Sequence, residues 1–381
     1  MVSAGSAIKE FRTAPAGRAP APAPPKRILL ISNRLMHYRV SVYNYFWRRF
    51  REHGWDFVVL SNELQQQNQN ECQFELIERP FDFFRYRAEI RRINPDAVIL
   101  FLHLKDRIQW PLIHWLKFSG IPVALWTKTR NLDDPDNPLR NVFFDYLNAI
   151  SDGLILYTSS LSRFISKRHG GKVFVANNTI NFEDFPQISE SKEQIKRDLG
   201  IPFQKVVLFI GRIAEGRNRK KVDHLIDMFR ELDRSDVGLV IVGSGLSDEL
   251  RARMNPANTR YFGEVHDPEN RQISRIFKMA DVCSIPGHVG LGLNQAFFWG
   301  LPMVTEWGNQ PPEIEYLREG ENGFIVPEDD RRALRDRLLL LIDNDEERRR
   351  MSENARRDIR ASASIEGMFD GFLSCVRYLS R

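Results

Sequence analysis

The apolar run VVLFI at 206–210 ends in Gly211 and Arg212, and Lys220 follows eight residues on. Further along, the glycine-spaced stretch Gly287-His288-Val289-Gly290-Leu291-Gly292 opens an apolar helical segment. These residue types in this order suit phosphate. Cations at the carboxyl end of a strand neutralise it, glycines let backbone N–H groups approach it, and the first N–H groups of a helix have no partners within the helix. Gly243 and Gly245, behind the run LVIV, form a second close-approach turn expected to line a nucleotide, with Val265 at the end of YFGEV beside it. Arg217, Arg219 and Lys221 crowd the Lys220 loop, so Lys221 is the alternative should the register slip by one.

A second set of candidates lies in the first half. His37 and Arg39 sit in the turn after RILLIS (27–32), His103 ends AVILFLH (97–103), and Lys128 and Arg130 end PVALWTKTR (122–130). The last two could receive an anionic acceptor. A metal site of the Asp-x-Asp type belongs at a strand end, but Asp134-Pro135-Asp136 lies in a Pro-rich loop, so no metal is expected. The three cysteines are odd in number and lack CxxC spacing, which argues against a disulfide framework or zinc site and fits a reducing cytoplasm.

The elements that must position these residues read as short apolar strands separated by helices, the pattern of parallel sheets covered on both faces. Strands are expected at 27–32, 57–61, 74–78, 97–102, 122–127, 153–159 and 172–178, then at 205–212, 237–245, 259–265, 280–287, 301–308 and 322–327. A chain of 381 residues exceeds the usual size of one domain. The series divides into an N-terminal unit at 27–185 and a C-terminal unit at 186–364, with a last amphipathic helix at 365–379. Residues 1–26 form an Ala/Pro-rich leader, expected to be disordered and lacking the apolar segment of a signal peptide. The fold class is therefore α/β, with two doubly wound Rossmann-like domains facing a cleft. Ligands of such sheets bind outside the carboxyl ends of the strands.

The net charge of +5 is unevenly divided: residues 1–185 hold 25 Lys and Arg against 18 Asp and Glu, whereas residues 186–381 hold 30 against 32. The basic half shows no dense stripe or motif of a nucleic-acid binder. Its aromatic and basic stretches, YFWRRFR (45–51) and FDFFRYRAEIRR (81–92), suit contact with an anionic membrane surface. The longest apolar runs fall far below the ~20 residues of a membrane span.

In order and spacing, FIGRIAEGRNRKKVDHLI (209–226), LVIVGSG (239–245) with YFGEV (261–265), and ADVCSIPGHVGLGLNQAFFWGLPMV (280–304) resemble the retaining GT-B glycosyltransferases of the glycogen-synthase-like family four, bacterial polysaccharide type. VANNTINFEDF (175–185) resembles the stretch that closes that family's first domain. The resemblance covers most of 172–360 and, more loosely, 27–171. It implies transfer of a sugar from a nucleotide-diphosphate sugar to a hydroxyl of a glycan acceptor, lipid-linked or part of a surface polysaccharide. It also implies a cytoplasmic enzyme, peripheral at the inner face of the membrane, whose last helix (365–381) crosses back onto the first domain.

The resemblance assigns roles as well. Arg212 and Lys220 would stabilise negative charge on the leaving diphosphate, with Gly211, Gly243, Gly245, Val265, Gly287, Gly290, Leu291 and Gly292 around the donor. His103 would face the donor sugar, His37 and Arg39 would approach the donor phosphates and the acceptor, and Glu313 would contact a hydroxyl. In the front-face mechanism assigned to this class the leaving phosphate takes the acceptor proton, so neither a general base nor a cofactor is required. The chain departs from the pattern at one place. Gly287 and Gln295 stand where the family has two glutamates separated by seven residues, leaving His288 as the nearest polar candidate toward the sugar and Gln295 for the ribose diol. That departure supports a second reading, a nucleotide-sugar-binding scaffold without activity.

Overall fold

The apolar runs of the first half become seven strands: β1 (Lys26–Leu35), β2 (Trp55–Leu64), β3 (Glu75–Glu78), β4 (Ala97–Phe101), β5 (Val123–Thr127), β6 (Gly153–Leu156) and β7 (Val173–Val175). Between them run α1 (His37–Glu52), α2 (Phe83–Ile93), α3 (Gln109–Phe118) and α4 (Pro138–Ile150). The second half adds β8 (Lys205–Ile210), β9 (Val237–Val242), β10 (Thr259–Tyr261), β11 (Val282–Ser284), β12 (Met303–Glu306) and β13 (Gly323–Val326). Its helices are α5 (Lys192–Asp198), α6 (Val222–Glu231), α7 (Asp248–Arg253), α8 (Arg271–Met279), α9 (Leu291–Phe298), α10 (Arg331–Asp343), α11 (Asp345–Ser362) and α12 (Ile365–Leu379). The computed structural model describes residues 25–64, 71–103, 106–130, 132, 134, 137–213, 219–265, 267 and 269–381. The leader, apart from its last two residues, and two positions of the Asp134-Pro135-Asp136 motif, 135 and 136, lie outside the described residues.

Every strand pairing is parallel, in the orders β3-β2-β1-β4-β5-β6-β7 and β10-β9-β8-β11-β12-β13. This is the expected architecture. Ile28 to Ile31, Val98 to Leu100 and Val206 to Phe209 are buried, because helices cover both faces of each sheet. Each sheet reverses its strand order once, between β1 and β4 and between β8 and β11, and a doubly wound sheet opens its crevice at that reversal.

The last helix belongs to the first sheet's layer. Ser364 caps α12 by accepting the Gly367 N–H at 3.0 Å. The Phe372 ring lies 4.8 Å from Phe46 and 5.1 Å from Trp126, and Phe369 lies 4.9 Å from Phe50. A Cβ at Gly371 would sit 2.3 Å from the Val175 carbonyl oxygen, so the helix backbone rests directly on the end of β7.

This packing corrects the membrane-facing expectation for 45–51. Tyr45, Phe46 and Phe50 are buried under α12, leaving arginines and Trp47 at the margin. In 81–92, Tyr86 and Ile90 are likewise core, and Phe84 points outward. The exposed apolar surface lies instead on α3 and on α4, a helix not expected from the sequence. Leu139, Val142, Phe143 and Tyr146, at helical spacing on one face of α4, are 75, 65, 51 and 44% exposed, and Phe118 at the end of α3 is 92% exposed.

Candidate functional site

At the reversal of the second sheet, the segments leaving β8 and β11 meet the loop before α6. The Gly287 N–H donates to the Lys220 carbonyl at 3.0 Å and the His288 N–H to the Arg219 carbonyl at 2.8 Å. Lys220 Nζ donates to the carbonyls of His288 at 2.8 Å and Val289 at 3.2 Å. An ammonium has three N–H bonds, and the described residues take up two of them. Burial, reinforced by Arg212 and Arg219 and opposed by Glu313, brings the Lys220 pKa down to about 8. Arg212 itself is exposed at the rim.

Most of the site's glycines bring protein against protein. A Cβ would lie 2.5 Å from Lys220 Cε at Gly211, 2.0 Å from the Gly211 carbonyl oxygen at Gly243, 1.9 Å from the Ile213 carbonyl oxygen at Gly245, and 2.0 Å from the Arg219 carbonyl oxygen at Gly287. At Gly292 it would meet the Ile285 side chain at 2.7 Å. On the Cβ side neighbouring loops fill the space at all five, while the backbone of Gly211, Gly243, Gly245 and Gly292 keeps some exposure. Gly290 differs. At φ 57 it caps α9, and a Cβ there would meet only the His288 imidazole, at 4.0 Å. The helix start at Leu291 thus remains approachable, and Gln295 lies one turn further along α9, partly exposed. Val265 packs on the second domain's core beside Phe262.

Gln310 braces this loop. Its Nε2 lies 2.9 Å from the Gly287 carbonyl oxygen and 2.8 Å from that of Glu306, while its Oε1 accepts the Val289 N–H at 3.2 Å. Sequence reasoning passed over it, since a glutamine in a Pro-rich turn carries no motif. The structure also decides between the two lysines. Lys221, at φ 50 before α6, turns away to Glu306 at 3.1 Å, Glu328 at 3.1 Å and Asp329 at 2.7 Å. Glu306 is fully buried, accepts the Asp329 N–H at 3.0 Å and lies 2.6 Å from His224 Nδ1. Burial works against its carboxylate, but these partners hold its pKa below the usual value. The ligand atoms of His224, Glu306 and Asp329 lie within 4.8 Å of one another, close enough for a metal. The Lys221 ammonium already supplies the positive charge at that place.

In the first domain, Arg39 lies in the opening turn of α1, buried, with its guanidinium 4.7 Å from the Trp126 ring. Its Nη2 donates to Asn178 Oδ1 at 2.6 Å, and Asn178 Nδ2 donates to Glu313. The Asn178 carbonyl accepts from Asn294 Nδ2 at 3.0 Å. A buried polar chain thus joins α1 to α9 and to the turn after β12. Glu313, expected at a sugar hydroxyl, has its carboxylate engaged in this chain. His103 lies beyond β4, partly exposed, its Nδ1 3.3 Å from Asp106 Oδ2. His37 opens α1, edge-on to Tyr38 at 5.5 Å. Lys128 sits over Tyr157 at 5.5 Å and Arg130 over Phe164 at 5.0 Å. Because Tyr157 stacks on Trp126 at 5.2 Å, Arg39 and Lys128 share one aromatic stack. The structure therefore gathers Lys220, Gly287, His288 and Gly290 at one reversal and Arg39, Lys128 and Arg130 near the other.

Residues 191–358 match the family described as glycosyl transferases group 1. A phosphatidyl-myo-inositol mannosyltransferase of Mycobacterium leprae is 34% identical over 149 residues, 37% of this chain and 38% of that protein. The capsular polysaccharide biosynthesis glycosyltransferase CapM of Staphylococcus aureus is 26% identical over 219 residues, 52% of this chain and 54% of that protein. The chain thus spans about half the length, or less, of these curated relatives. Among solved structures, Anabaena HepE in complex with UDP and glucose superposes with a TM-score of 0.71 at 14% identity, covering 92% of this chain and 99% of that one. That likeness establishes the GT-B fold. Residues 191–358 thus match the group 1 glycosyl transferases, and the chain carries the two-domain GT-B architecture.

Proposed function

We propose that this chain is a retaining glycosyltransferase that moves a sugar from a nucleoside-diphosphate sugar to a hydroxyl of a glycan acceptor, lipid-linked or belonging to a surface polysaccharide. The observation that carries the reading is the convergence of the Lys220 ammonium and the approachable start of α9 at the strand-order reversal of the second sheet. As the bond from the anomeric carbon to the diphosphate breaks, the electron pair passes to a phosphate oxygen, which then takes the acceptor proton. Lys220, Arg212 and the α9 N-terminus would stabilise that charge. The HepE structure with UDP and glucose and the capsular function of CapM support donor and acceptor class. Lys221, which neutralises the one cluster suited to a cation among the described residues, supports a metal-independent reaction.

No helix among the described residues is long and apolar enough to cross a membrane. The exposed apolar face of α4, with Arg140 on the same helix and Phe118 nearby, supports attachment to an anionic membrane surface at the cytoplasmic side. The test of the transfer reading is nucleotide release from a panel of UDP-, GDP- and TDP-sugars. Turnover that Arg212→Ala leaves unchanged would remove the site assignment. The crowding at Gly287, which leaves no room for a carboxylate, favours the scaffold reading, and donor binding without release or transfer would establish it.

A further inference from the structure

The second sheet also has a cavity at the end opposite Lys220. About 380 Å³ in volume, it lies where β11 and β12 begin, bounded by the ends of α8 and α9 and by α11. Small-molecule sites have volumes in this range. Its lining holds five basic residues and two acidic ones. Two of the basic residues are matched, Lys192 by Asp281 at 3.1 Å and Arg348 by Asp345. The other three are Lys278, Arg349 and Arg356. Lys278 donates to the Ile188 carbonyl and Arg356 to the Trp299 carbonyl at 2.9 Å, and none of the three has an acidic partner among the described residues. Arg356 is fitted to its place: at Gly300, φ 73, a Cβ would lie 2.4 Å from the guanidinium carbon, so a bare backbone lets this cation close over the end of α9. Burial, with Arg360 nearby, lowers its pKa against the pull of Glu353. A cation drawn out of water without an acid beside it is costly, and an anion would offset that cost. The Trp299 Nε1 in the same lining is buried with no hydrogen-bond partner among the described residues, although buried donors are almost always paired.

We propose that this cavity is a binding site, separate from that at Lys220, for a small sugar phosphate, with the phosphate among Lys278, Arg349 and Arg356 and the sugar on Trp299 and Leu301. The site does not depend on whether the chain transfers sugar. Three cations without acids suit a phosphate monoester, whose charge at neutral pH is about −1.5 to −2. The apolar wall of Ile188, Trp299 and Leu301 suits a carbon skeleton, and an indole offers a flat face as well as an N–H. Phosphate alone would leave most of the cavity unfilled, since it has room for about a dozen waters at ~30 Å³ each. The two sites stand at the two ends of one helix, because α9 is capped by Gly290 in the Lys220 loop and by Trp299 here. The test must therefore show that they fill independently.

The full chain is titrated calorimetrically with ribose 5-phosphate, glucose 6-phosphate, ribose, glucose and inorganic phosphate, alone and with UDP at saturation. The expected result is that at least one of the sugar phosphates binds with one site per chain, more tightly than inorganic phosphate, that the free sugars do not bind, and that UDP leaves this stoichiometry unchanged. Arg349→Gln and Arg356→Gln should each weaken binding about tenfold, and Trp299→Phe, which keeps an aromatic ring and loses the N–H, about threefold. Arg332→Gln, an exposed arginine outside the lining, should leave it unchanged. Because Arg356 also packs on Gly300, its variant is checked by denaturant unfolding, and the exposed Arg349 supplies the variant that does not disturb packing. The proposal is overturned if neither sugar phosphate binds, if a free sugar or inorganic phosphate binds as tightly as the sugar phosphate, if UDP abolishes the binding, or if Arg332→Gln weakens it as much as Arg349→Gln does. Failure of UDP itself to bind would count against the transferase reading alone.

Discussion

Lys220 is the residue through which the donor site can be tested most sharply, because its protonation can be changed without altering the sequence. Its pKa lies at about 8, below the usual 10.5, so the free site loses its charge through a range in which binding can be measured. On the proposed function, a nucleoside diphosphate would bind the protonated form. Binding should therefore tighten as pH falls through 8 and weaken as it rises, with proton uptake near half a proton at pH 8. The protonated fraction falls from about 0.9 at pH 7 to about 0.1 at pH 9, so affinity should drop roughly tenfold, or ~1.4 kcal/mol. The ligand itself adds little to this slope, since the last phosphate ionisation lies at about 6. Burial pushes the neighbouring Cys283 thiol up to about 12, so it stays neutral throughout. Calorimetry in two buffers of different ionisation enthalpy at pH 7, 8 and 9 reads both affinity and proton uptake. Lys220→Met keeps most of the apolar stem and should abolish the slope as well as weaken binding. A flat profile in the wild type, or an unchanged slope in Lys220→Met, would refute the assignment of that ammonium to the diphosphate.

Other substitutions separate packing from function. Glu306→Ala strands His224 and Lys221 beside a vacated buried position and should cost about 3 kcal/mol in denaturant unfolding, whereas Asp329→Asn, at the exposed edge of the same cluster, should cost less than ~1 kcal/mol. Phe372→Ala removes a ring packed on Phe46 and Trp126 and should cost about 3–5 kcal/mol, showing by unfolding that α12 belongs to the first domain's core. Leu139→Ser with Phe143→Ser should leave stability within ~0.5 kcal/mol of wild type, since both side chains are exposed, and should lower co-sedimentation with phosphatidylglycerol vesicles several-fold. Unchanged sedimentation would place any membrane contact elsewhere.

The sheets were legible because a strand buried on both faces must be apolar throughout, and runs such as ILLI and VVLF have few other uses. α4 was not, because Leu139, Val142 and Phe143 face outward beside the buried Phe144 and Leu147, so apolar residues run round the helix and blur its inward stripe, while its cap, Asn137, accepting the Arg140 N–H at 3.1 Å, follows a Pro-rich loop. Glycine spacing signalled tight turns correctly but could not say what fills them. At Gly243 and Gly287 it is another loop's carbonyl, a contact set by tertiary packing. The choice between Lys220 and Lys221 depended on one backbone angle, since a left-handed residue before α6 sends adjacent side chains to opposite sides. Lysine gives no sequence signal for that angle.

The crowding of the donor loop changes how its missing glutamates should be understood. A family that places carboxylates beside a sugar must offset their repulsion toward a diphosphate. Here Gly287 has no room for one, and Gln295 is neutral. Among the described residues, the charges acting on Lys220 are then Arg212 and Arg219, with Glu313 the carboxylate that opposes them. Glu313 is also the group that receives Asn178, which in turn receives Arg39. One buried carboxylate therefore moderates the field at Lys220 and fixes the amide that orients Arg39. The two halves of the cleft are joined through this hydrogen-bonded chain, beside a second link from the Ser160 N–H to Glu315, and its members are polar residues whose partners lie 135 and 139 positions away in the sequence. Such a chain holds its geometry only while both sheets are in place, which is why the residues that connect the sites have no local signature, whereas the residues that bind charge do.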